Sequence, residues 1–182
     1  MKVDLKNWKP GGYSPGSKWK IVLWNFINIV LFINPLNASY RFKSFILRAF
    51  GAKVGKGVIF KQNISIKYPW FLEIGDDVWI GERVWIDNLG KVKIGNNVCI
   101  SQGAMLLTGN HNYKKTTFDL MVGEITLEEG VWVGAKSVVC PGVTMRSHSI
   151  LTVGSVLTKD ADEYGIYQGV PAVFIKKRDI QD

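Results

Sequence analysis

An aliphatic residue returns every six positions through the middle of the chain. Ile74-Gly75-Asp76-Asp77-Val78-Trp79 runs directly into Ile80-Gly81-Glu82-Arg83-Val84-Trp85. The unit recurs as Ile94-Gly95-Asn96-Asn97-Val98-Cys99 and as Val133-Gly134-Ala135-Lys136-Ser137-Val138. Each unit reads as an aliphatic, usually a small residue, two turn formers, then a small or β-branched residue. This pattern predicts a three-sided coil in which each unit supplies one short strand and one corner. The leading aliphatic points inward, while glycine, asparagine or aspartate permits the tight turn. Coils stacked about 4.8 Å apart pair their backbones as in a parallel sheet. One coil cannot bury its own core, so several are required.

The register runs through five coils. Their leading residues are Val54, Phe60 and Ile66; Ile74, Ile80 and Ile86; Ile94, Ile100 and Leu106; Leu127, Val133 and Val139; and Met145, Leu151 and Leu157. Val54, Ile74 and Ile94 are 20 apart, so the first two coils each carry two extra residues. The step from Leu106 to Leu127 is longer still. All three insertions follow the third face and so stack on one corner, where loops from successive coils can build a site on a rigid frame. The repeat ends after Leu157. The expected organisation is an N-terminal arm with helices over 1–50, an all-β coil domain over 51–160 with a loop inserted at 108–126, and a closing segment over 161–182.

Residues 17–34 read as a helix in which Lys18, Asn25 and Asn28 lie near one face, leaving a broad apolar surface. Pro35 stops it. A second helix is expected from Ala38 to Phe50, with Gly51 as its cap. This pair either packs on the coil or a neighbouring subunit, or rests on a membrane. Trp19, Trp24 and Phe32, with Lys18, Lys20, Arg41, Lys43 and Arg48, suit an interface of the second kind. The apolar stretch from Trp19 to Ile33 is too short for a span. The polar, glycine-rich opening from Met1 to Pro15 does not read as a cleavable signal.

The 182 residues suit one main domain with an appendage. A net charge of +8 accompanies no arginine-rich run and no zinc spacing, so nucleic acid is not an expected partner. A generally basic surface, or an anionic ligand or membrane, accounts for it. Cys99 and Cys140 form no metal-type pair and no disulfide framework, which points to a reducing cytoplasm.

The hexapeptide pattern, together with Gly169-Val170-Pro171-Ala172 and Lys176-Lys177-Arg178, resembles the hexapeptide-repeat acyltransferases over roughly residues 50–178. The resemblance implies a left-handed parallel β-helix, here of about five triangular coils with a short N-terminal helical segment. Periodicity alone does not give that hand, which departs from the usual right-handed crossover. Tyr68-Pro69-Trp70, Phe50-Gly51-Ala52 and Phe118-Asp119-Leu120 make the chain similar to the colanic-acid type of exopolysaccharide O-acetyltransferase. That implies acetyl-CoA as co-substrate, a sugar or glycan acceptor with or without a lipid carrier, no metal, a homotrimer, and a cytoplasmic setting that extends to the inner-membrane surface.

His111 lies in Thr108-Gly109-Asn110-His111-Asn112-Tyr113, at the start of the long insertion. Transfer to an alcohol needs a base near neutral pH, and neutral imidazole suits the task. A hydrogen-bonded loop histidine is the plainer reading, but the resemblance matches His111 to the family's catalytic histidine. His148, within a turn of the fifth coil, reads as an exposed turn residue. Asp87 or Asn88, on the corner that bears the insertions, either contacts the acceptor, orients His111, or simply forms the turn. For the donor, the resemblance implies a groove between subunits at Gly134, Ala135, Val153, Thr158 and Lys159, with Lys176 near the CoA phosphates. Val173 stands where the family often has a basic residue, and Lys176, Lys177 or Arg178 would compensate. Neither cysteine is placed as a nucleophile.

Several rivals share parts of this pattern. A γ-type carbonic anhydrase needs three zinc-binding histidines, and the chain has two. A nucleotide-sugar N-acetyltransferase would carry a nucleotide-binding domain that does not fit in the first 50 residues. An antibiotic or serine acetyltransferase would use the same histidine on another acceptor. A trimeric scaffold without catalysis would bind no CoA.

Overall fold

The computed structural model describes residues 2–8, 10–36 and 39–181. Met1, Asp182 and Ala38, with which the second helix was expected to open, lie outside the described residues. The middle of the chain is a triangular coil with three parallel sheets. The first face stacks Lys53–Val54, Leu72–Ile74, Val92–Ile94, Ile125–Leu127 and Thr144–Met145. The second stacks Ile59–Phe60, Trp79–Ile80, Cys99–Ile100, Trp132–Val133 and Ile150–Leu151, and the third runs from Ser65–Ile66 to Val156–Leu157. Pairing follows the expected register, for example Val54 with Ile74 and Ile86 with Leu106.

The inward columns supply the core. Ile74, Ile80, Ile86, Ile94, Ile100, Leu106, Val133 and Leu157 are all buried. Each large aliphatic contributes roughly 1.5–3 kcal/mol of burial. The residues just before each strand form a second buried layer of Val58, Val78, Val98 and Val131. Left-handed backbone turns the corners: φ is +56° at Asp77 and at Asn97, and +67° at Gly130.

The coil is longer than the five turns expected. Ala161 bridges to Met145, and Gly165–Gly169 pairs with Ile150–Leu151, so two faces of a sixth coil follow Leu157. Ala172–Lys177 then folds back antiparallel on Gly165–Gly169 and closes the stack. At the other end, α1 (Lys18–Ile27) continues as a π-helical turn, Asn28–Phe32. Helix α2 (Tyr40–Ala49) is capped by Ser39, whose hydroxyl accepts from the Phe42 amide. Trp24, Phe32 and Leu47 plug the first coil, and Trp24 Nε1 donates to the Ile66 carbonyl at 2.8 Å.

Candidate active site

The long insertion leaves the third face and returns as a hairpin. Gly109–His111 pairs antiparallel with Leu120–Val122, bringing His111 opposite Leu120. Two glycines allow this hairpin to lie against the neighbouring corner loop. A Cβ on Gly109 would sit 2.4 Å from Leu89 Cδ1, and one on Gly90 would sit 2.6 Å from Val122 Cγ1. The tip is tied by local bonds: Lys115 N donates to Asn112 O, and Lys114 N donates to Asn112 Oδ1. Lys115 first, then Thr117, hold the Asp119 carboxyl below its usual range.

His111 is half-buried, and its ring stacks on Phe118 at 4.4 Å with an 8° interplanar angle. Its Nδ1 is 3.0 Å from the Phe118 carbonyl oxygen. A carbonyl only accepts, so Nδ1 carries a proton, and in the neutral ring Nε2 then holds the lone pair. Among the described residues Nε2 has no hydrogen-bond partner. Phe118 holds its carbonyl there from a left-handed backbone, φ +49°, which a residue with a Cβ adopts at a cost of roughly 1–2 kcal/mol. The arrangement is an imidazole oriented through Nδ1, with Nε2 left open toward a substrate.

The N-terminal arm runs over the same hairpin. Asp4 N donates to Thr116 O at 2.9 Å, and Trp8 Nε1 donates to Phe118 O at 3.2 Å. Farther along, Tyr13 donates its hydroxyl to Leu89 O at 2.8 Å, and Trp70 Nε1 donates to Pro15 O. Burial, then Tyr68, then Asp87 push the Tyr13 phenol far above its ordinary value. Sequence patterning missed Trp8 and Tyr13, because the arm carries no period that could announce them.

Asp87 and Asn88 part company. Asn88 is fully buried, accepts from Tyr68 N at 3.0 Å and donates to Tyr68 O at 2.6 Å. Its amide is committed to joining two coils at the insertion corner. Asp87 faces Leu107, and Thr108 Oγ1 donates to the Asp87 carbonyl at 2.9 Å. Lys67 Nζ lies 2.9 Å from Asp87 Oδ1, yet that buried oxygen accepts no hydrogen bond of good geometry. The ion pair therefore neutralises the carboxylate without saturating it.

The residues matched to the donor fall on two corners and the closing hairpin. Gly134 and Val153 lie on the corner between the second and third faces, where a Cβ on Gly134 would be 2.6 Å from both Leu151 O and Val153 N. Ala135 O accepts from Gly154 N in the same stack. Val153 is exposed, as are Thr158 and Lys159 beyond the last strand of the third face. Lys176 is exposed on the closing strand opposite Ile166. An open groove of about 600 Å³ occupies the outer side of the second face, along Trp79, Cys99 and Gln102, below the corner that carries Gly134.

Other candidate groups are occupied structurally. His148 is half-buried at φ +59° beside Tyr164, and its carbonyl accepts from Arg178. Burial pushes the Cys99 and Cys140 thiols up, opposite to what a thiolate nucleophile needs.

No family model matches the chain. Over 169 residues it is 34% identical to WcaF of Escherichia coli (strain K12), whose provisional name is colanic acid biosynthesis acetyltransferase; the match covers 93% of each chain. Over 130 residues it is 29% identical to the galactoside O-acetyltransferase of the same strain, spanning 66% of this chain and 64% of that one. A hexapeptide-repeat-containing acetyltransferase from Vibrio cholerae O1 biovar eltor, solved with acetyl coenzyme A, superposes with a TM-score of 0.82 at 18% identity, over 96% of this chain and 97% of that one.

Proposed function

This chain belongs to the hexapeptide-repeat acetyltransferases, with their left-handed β-helix, and on that premise we propose that it moves an acetyl group from acetyl-CoA to a sugar hydroxyl with His111 as the base. The observation that carries this reading is the 3.0 Å contact of His111 Nδ1 with the Phe118 carbonyl oxygen. The Phe118 carbonyl holds Nδ1–H, so in the neutral ring Nε2 is the nitrogen left to accept a proton.

In this reading Nε2 takes the hydroxyl proton as the sugar oxygen attacks the thioester carbonyl carbon. A tetrahedral oxyanion forms, with a backbone N–H as its expected donor. The carbon–sulfur bond then breaks, and the imidazolium returns the proton to the departing thiolate, giving the acetyl ester and free CoA. The Phe118 carbonyl supports the imidazolium through Nδ1–H. No cysteine takes part.

Asp87 is the acceptor-side group in this reading, since Asn88 is committed to Tyr68. Its carboxylate would receive a sugar hydroxyl. Acetyl-CoA would lie along the corner of Gly134, Ala135 and Val153, with Thr158 and Lys159 at its far end and Lys176 at the phosphates. In a homotrimer that corner would face a neighbouring copy. The relatives' names, a galactoside and a colanic acid acetyltransferase, favour a glycan acceptor over serine or an antibiotic.

The test is CoA release from acetyl-CoA with a panel of sugars and lipid-linked glycans, comparing wild type with His111→Ala. Acceptor-dependent release should fall by about 10²–10⁴-fold in the variant, with acetyl-CoA binding retained. Equal release by both proteins overturns the role of His111. A folded wild type that neither binds acetyl-CoA nor releases CoA points to a scaffold.

A further inference from the structure

The N-terminal helical segment turns its apolar side outward. Trp24, Asn28 and Phe32 face the coil and are buried, with Asn28 Oδ1 accepting from the Ile66 amide. Asn28 therefore leaves the polar stripe expected of it and is consumed inside. The outer side presents Trp19, Val22, Leu23, Phe26, Ile29 and Val30, of which Trp19 is 84% and Phe26 65% exposed. Only Lys18 and Asn25 add polarity to the exposed positions of Lys18–Phe32. Beyond the turn Leu36 is 89% exposed, and α2 adds Phe42 and Phe45. Trp19, Val22, Leu23 and Phe26 line one shallow depression on α1, and an exposed apolar patch of this kind marks a docking surface.

The charge of the same region names the partner. Between Asp4 and Glu73 the chain holds eleven Lys and Arg and no acidic residue, whereas 73–182 holds eleven basic and fourteen acidic residues. Lys53 and Lys67 are paired to Glu73 and Asp87, and Lys43 is buried against the Lys61 carbonyl. Lys18 at the head of α1 and Arg41 on α2 are exposed. Two copies meeting through this face would bring like charges together. An anionic surface would meet complementary charge and apolar side chains at once.

We propose that the outer face of α1 and its π-helical continuation docks on an anionic phospholipid surface, holding the protein on the bilayer without crossing it. No described helix is long and apolar enough to span a membrane. The segment is fixed to the body rather than hinged: Lys20 Nζ sits 4.6 Å over the Trp70 ring, and Trp70 stacks on Tyr68 at 5.2 Å. This attachment does not rest on the acetyl-transfer reading.

The test is co-flotation of the full chain with vesicles of phosphatidylcholine alone or mixed in equal parts with phosphatidylglycerol. Wild type should float with the mixed vesicles at least about tenfold more than with phosphatidylcholine, and high salt should reduce this. Phe26→Ser with Ile29→Ser should lose about tenfold of that binding, with circular dichroism and mass by light scattering unchanged. Lys18→Glu with Arg41→Glu, which leaves the apolar face intact, should abolish the anionic preference. The proposal is overturned if wild type ignores both vesicles, or if either double variant floats like wild type. It is equally overturned if the serine variant dissociates into smaller species, because a second copy then covers the face.

Discussion

Trp8 and His111 donate to the same atom: the Phe118 carbonyl oxygen is 3.2 Å from Trp8 Nε1 and 3.0 Å from His111 Nδ1. A carbonyl has two lone pairs and can serve both. Trp8 lies 110 residues before Phe118 in the chain. The arm therefore fixes the carbonyl that fixes the imidazole, and with His111 as the proposed base Trp8 would be a positioning residue. Trp8→Phe keeps an aromatic ring and removes the donor. Its expected effect is a drop in kcat of about twofold to tenfold, from a net hydrogen bond of about 0.5–1.5 kcal/mol, with the KM for acetyl-CoA unchanged. A purely structural role would lower the melting temperature and leave kcat alone.

Burial pushes both thiols up, so each is less ionised at neutral pH in the folded chain than in the unfolded one. Alkylation by iodoacetamide should be slower for the native protein than in urea. Raising the pH should speed both reactions, and the native rate should go on rising after the unfolded chain's rate has levelled off. Cys99→Ala with Cys140→Ala should retain acetyl transfer. Loss of activity in that variant would place a thiol in the chemistry and displace the direct mechanism.

The inward columns were legible because burial on a fixed period demands aliphatics at fixed spacing, and Ile74 through Leu157 obey it. The sixth coil was hidden for two reasons. Ala161 follows Leu157 by four residues instead of six, and the residue that then faces inward is Tyr167, not an aliphatic. Corners at Arg83, Lys136, His148 and Tyr164 adopt positive φ without glycine or asparagine to announce it, since stacking on the neighbouring coil imposes the turn. His111 stood out as a candidate because the insertion broke the period beside it and the family resemblance matched it to a catalytic histidine. Trp8 and Tyr13 were not, because their partners lie far away in sequence and no local pattern encodes them.

Lys176 and Arg178 are two residues apart but differently engaged. Arg178 donates from one guanidinium nitrogen to Gly130 O at 3.1 Å and to His148 O at 3.2 Å. Arg178→Ala should cost stability of about 1–3 kcal/mol, read by urea unfolding, because two carbonyls lose their donor. Lys176 is exposed, and its side chain has no partner among the described residues. Lys176→Ala should leave the unfolding midpoint unchanged and raise the KM for acetyl-CoA about fivefold, from an exposed contact of about 1 kcal/mol. The opposite split would move the phosphate contact to Arg178.

The neighbours Asp87 and Asn88 should separate function from stability. Asn88 is buried and satisfies both the N–H and the carbonyl of Tyr68. Asn88→Ala strands both groups where water cannot reach them, at about 1–3 kcal/mol each, so the unfolding free energy should fall by roughly 2–6 kcal/mol. The variant Asn88→Asp keeps the acceptor oxygen but loses the donor, so its stability should fall between the two. Asp87 is held by Lys67 and has an oxygen that no hydrogen bond of good geometry satisfies. Asp87→Asn keeps the shape and removes the charge. If Asp87 receives a sugar hydroxyl, that variant should unfold near wild type and raise the acceptor KM by about tenfold to a hundredfold, the value of a hydrogen bond to a charged group. Its KM for acetyl-CoA should not move. A loss of stability without a change in acceptor KM would instead make Asp87 a corner residue paired with Lys67, and the acceptor would have to be read by the arm or the hairpin.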